Sequence, residues 1–114
     1  MSYVITPFEV VSGGLGKPVS VRFVHLYPAI ATRHSDTMDV VFLVDGQKVT
    51  VAISCAALTE LREREKTSLS DQQLGEVAAL FLRRTLRGGY DAALAELYVG
   101  GEQLGELARE LGYL

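Results

Sequence analysis

The chain is poor in the residues that usually mark chemistry. Among 114 residues it has one cysteine, two histidines, three prolines and no tryptophan. A single cysteine, Cys55, excludes an internal disulfide framework and every multi-cysteine zinc pattern. No apolar run reaches the roughly 18 residues that a membrane span needs. The opening MSYVITPFEV lacks the basic end of a signal peptide, so a cytoplasmic chain with no membrane partner is expected. Excess charge is missing too. A net charge of -3 gives no global attraction to nucleic acid or anionic lipid, and either would need a local patch.

What is present is an ordinary globular composition, 48% apolar and 22% charged, in a length that suits one domain over 1–114. The first half reads as strands. Pro7 confines the strand around 3–11 to an edge or interrupts it. SGGLGKP (12–18) is a turn. In VSVRFVHLY (19–27), plain alternation puts Val19, Val21, Phe23, His25 and Tyr27 on one face. The strongest local signal is DVVFLVDGQKVTVAIS (39–54). Asp45-Gly46 between β-branched runs predicts a two-residue type I′ hairpin, pairing Val44 with Gln47, Phe42 with Val49 and Val40 with Val51. Strand 39–45 is apolar on both faces and belongs inside the sheet.

The second half reads as helices. Ser54 caps a helix over 55–66, with Ala57, Leu58 and Leu61 inward and a Glu60–Arg64 pair outward. Ser70 and Gln73 form a capping box, and Leu69 with Leu74 a hydrophobic staple. The helix they open, 71–87, buries Leu74, Val77, Ala78, Phe81, Leu82 and Thr85, and Leu80 and Leu86 widen its stripe. Asp91 would cap an alanine-rich helix over 92–98, and a last helix over 102–111 presents Leu104, Leu107, Ala108 and Leu111. Strands followed by helices predict an α+β fold: an antiparallel sheet of three to four strands from the N-terminal half, packed against C-terminal helices.

Candidate chemistry is thin. Cys55 stands where a helix dipole best stabilises a thiolate, but no base or cation is assured. The alanines between it and Arg62 offer no anion cradle. It is read as a structural residue buried under Leu58. His34-Ser35-Asp36 is a triad only in letters, because triad members converge from separated positions. The intervals among His25, His34, Asp36 and Asp39 match no known ligand spacing, so neither metal nor cofactor is expected. GGLGK fails the phosphate-loop pattern, having Val11 where a glycine and Pro18 where a Ser or Thr is required. Arg83, Arg84 and Arg87 form the one basic cluster and read as a helix end satisfying its last carbonyls.

Residues 48–89, KVTVAISCAALTELREREKTSLSDQQLGEVAALFLRRTLRGG, resemble a ribbon-helix-helix unit: strand, helix, turn, helix. The resemblance implies a strand that pairs with its twin in a dimer and turns Lys48, Thr50 and Ala52 to the major groove. Two features depart from it. The strand already has a hairpin partner, and its reading face carries one cation. Nucleic acid is therefore not the expected partner.

Three functions follow. The favoured one is a non-enzymatic association module forming a homo-oligomer, on the ground that the apolar inventory looks large for one small core. The first alternative is a DNA-binding regulator using Lys48, Thr50, Arg83, Arg84 and Arg87. The second is a small-ligand or enzymatic site at a pocket rim made by His25, Tyr27, His34 and Asp36. No catalytic residue is assigned.

Overall fold

The computed structural model describes residues 5–13, 16–29, 36–89 and 96–114. Within them lie five strands, β1 (Phe8–Val11), β2 (Pro18–Pro28), β3 (Thr37–Val44), β4 (Gln47–Ser54) and β5 (Glu96–Val99). Three helices complete the described elements: α1 (Cys55–Glu65), α2 (Asp71–Arg87) and α3 (Gly101–Glu110). The sheet runs in the order β1-β2-β3-β4-β5. The first four strands form an antiparallel meander, and β5 joins parallel to β4. A parallel partner needs a crossover, and α1 and α2 lie in it. The α+β class stands, but the sheet is mixed and has five strands.

The Asp45-Gly46 hairpin forms as expected. Both turn residues have positive φ, 49° and 82°, as the type I′ turn demands. The register pairs Val44 with Gln47, Phe42 with Val49 and Val40 with Val51. Asp45 also ties the turn to β2, its Oδ1 accepting from the Ser20 amide at 2.8 Å. β3 lies inside the sheet with Val40, Val41, Phe42 and Val44 buried. β1 starts directly after Pro7 and is an edge strand.

β2 departs from plain alternation. Phe23 pairs with Phe42, but His25 pairs with Val41, leaving Val24 as an extra residue in a bulge. An inserted residue reverses the facing of everything beyond it. Leu26, opposite Val40, therefore joins Val21 and Phe23 on the core face. His25 and Tyr27 move to the other face, which corrects the simple alternation.

The core lies between one sheet face and the helices. Val10, Val19, Val21, Val40, Phe42, Val49, Val51 and Ile53 pack with Leu61, Leu74, Val77, Leu82, Leu104 and Leu107. α1 and α2 start where their sequences predict, and α3 starts one residue earlier, at Gly101. The Ser54 hydroxyl accepts from the Ala57 amide at 3.1 Å. Ser70 and Gln73 exchange both bonds of a capping box, at 3.2 and 2.9 Å. Along α2, Leu86 is buried while Phe81 and Thr85 stay half-buried, so the stripe is rotated from the expected one. The expected 92–98 helix is corrected: 92–95 lie outside the described residues, and 96–98 are strand.

Backbone amides close the C-terminal end of α2. The Leu86 carbonyl accepts from the amides of Gly89 and Gly13, at 3.2 and 2.9 Å. Gly13 belongs to the β1–β2 connection, which the sequence marks only as a turn. A Cβ there would stand 2.3 Å from the Arg87 carbonyl oxygen and 2.9 Å from the Gly89 nitrogen. The contact admits no side chain.

Candidate functional site

The sheet face turned away from the helices gathers most of the polar groups that the sequence singles out. Cross-strand pairing sets Tyr27, Asp39, Ala52 and Tyr98 in one row, and His25, Val41, Thr50 and Glu96 in the next. The His25 and Tyr27 rings are in contact, with centroids 5.0 Å apart and planes tilted by 54°. His25 is exposed and Tyr27 half-buried. The bulge at Val24 makes this possible, because it brings both rings to the face that holds Asp39. His34, the fourth residue of the expected rim, lies outside the described residues.

One end of this face is buried and polar. Asp39 is fully buried, and Thr37 and Ser54 beside it are buried. The Thr37 hydroxyl donates to Asp39 Oδ1 at 2.8 Å. Next to it the first turn of α1 is tied to the start of β3, the Cys55 amide donating to the Asp36 carbonyl at 3.1 Å. That bond brings the Cys55 thiol beside the Asp36 carboxylate.

Cys55 is half-buried rather than sealed under Leu58, which corrects the expected placement. Its thiol is pushed above the ordinary range, first by burial. The Asp36 charge adds to this, then a hydrogen bond from the thiol to Asp36, and last the Asp39 charge. Burial and the two carboxylates all favour the neutral thiol. A nucleophilic cysteine needs the reverse. No group of three or more His, Cys, Asp and Glu side chains among the described residues could hold a metal ion.

The residues named for nucleic acid are divided by the sheet. Lys48 and Thr50 pair with Leu43 and Val41 on the face away from the helices. Arg83, Arg84 and Arg87 lie on α2, across the core. Arg83 stacks over the Phe8 ring, 4.5 Å from its centroid. Arg84 pairs with Glu110 and links α2 to α3. The ribbon-helix-helix geometry is also closed off, because β4 is hydrogen-bonded to β3 on one side and to β5 on the other. A strand so enclosed has no edge for a twin.

Sequence reasoning missed Tyr98, which is exposed on the outer strand. The signal was present as Glu96-Leu97-Tyr98-Val99, an alternating β-rich run ahead of Gly100-Gly101. The alanines before it suggest a helix and obscured it. No protein-family model matches the chain, and neither the curated proteins nor the solved structures contain a detectable relative.

Proposed function

We propose that the protein is a non-enzymatic association module that assembles with copies of itself through the edge strand β5 and its exposed tyrosine. The observation that supports this reading is Tyr98. It stands 58% exposed on the four-residue edge strand β5. An edge strand carries unpaired backbone groups that invite a partner, and an exposed tyrosine is the kind of amphipathic side chain that interfaces favour. Two further apolar side chains are exposed elsewhere on the sheet, Val11 at 58% and Val24 at 42%. The raised Cys55 thiol argues in the same direction, since a thiol held in its protonated form is a poor nucleophile.

Light scattering on a sizing column at micromolar concentration tests the reading. A dimer or higher oligomer is expected, and Tyr98→Glu should shift it toward the 12.4 kDa monomer. A wild-type protein that elutes as a monomer overturns it.

A further inference from the structure

We draw no further inference here: the strongest candidate, the polar cluster of Asp36, Thr37, Asp39 and Cys55 at the junction of β3 and α1, belongs to the site already described and rests on a lone cysteine beside acids, with no second observation that points to a ligand.

Discussion

Cys55 shows how one backbone hydrogen bond sets the character of a side chain. By anchoring the first turn of α1 to Asp36, the Cys55 amide places the thiol against a carboxylate. Native protein should therefore react slowly with iodoacetamide near neutral pH. Asp36→Asn removes the charge and should speed the reaction, read as an acid shift in the rate–pH profile. Rapid labelling of the wild type at pH 6.5 would overturn this account. Linkage has a definite sign, because the folded state holds the proton more tightly than the unfolded chain. The stabilisation is complete below about pH 8.5, the ordinary thiol value, and is lost as pH rises through the raised folded value. Cys55→Ala should lack that alkaline loss in urea titrations. Gly13 is the second decisive residue. Its missing Cβ would meet backbone atoms, which cannot rotate away. Gly13→Ala should cost about 1–3 kcal/mol, in the range for overpacking, and an unchanged urea midpoint would sink the idea.

At the scale of elements, turns and caps carry the local specification. A Cβ at Gly46 would meet open space, yet its φ of 82° is unfavourable for any side chain. Gly46→Ala should therefore destabilise the hairpin by about 1–2 kcal/mol from backbone strain alone. Equal stability in chemical denaturation would show that the turn relaxes freely. Ser70→Ala removes one half of the α2 capping box. A loss of about 1 kcal/mol is expected, with Ser70→Gly losing less because glycine is a tolerable cap. The reverse order in thermal melts would remove the capping argument. The exposed Arg84–Glu110 pair is a weaker support, in the class worth ~0–1 kcal/mol.

The molecule as a whole exposes 6311 Å2, close to the ~6,100 Å2 that a monomer of its mass exposes on average. The apolar surplus read from composition is therefore absorbed within one chain: both faces of β3 and much of α2 are buried. Assembly, if it runs through β5 and its tyrosine, adds a contact to a core that is already complete. Tyr98→Glu should then lower the assembled mass while leaving the far-ultraviolet circular dichroism and the melting temperature nearly unchanged. A variant that unfolds instead would mean that the interface forms part of the core.

The sequence by itself determined the features whose cause lies within a few residues. The Asp45-Gly46 turn, the register it imposes, the Ser54 and Ser70 caps and the apolar stripe of α3 are all of this kind. Each depends on dihedral preferences or on partners less than two turns away. Tertiary structure alone decided the rest. The Val24 bulge depends on which residues of β3 stand opposite, since Phe23 and Leu26 are both apolar and either facing of His25 suits the local pattern. The parallel place of β5 beside β4 depends on hydrogen bonds across a crossover that includes two helices. The candidate site belongs to this second class: strand pairing sets His25, Tyr27 and Asp39 on one sheet face, one amide–carbonyl bond joins Asp36 and Cys55 past its end, and no spacing along the chain encodes a meeting between strands.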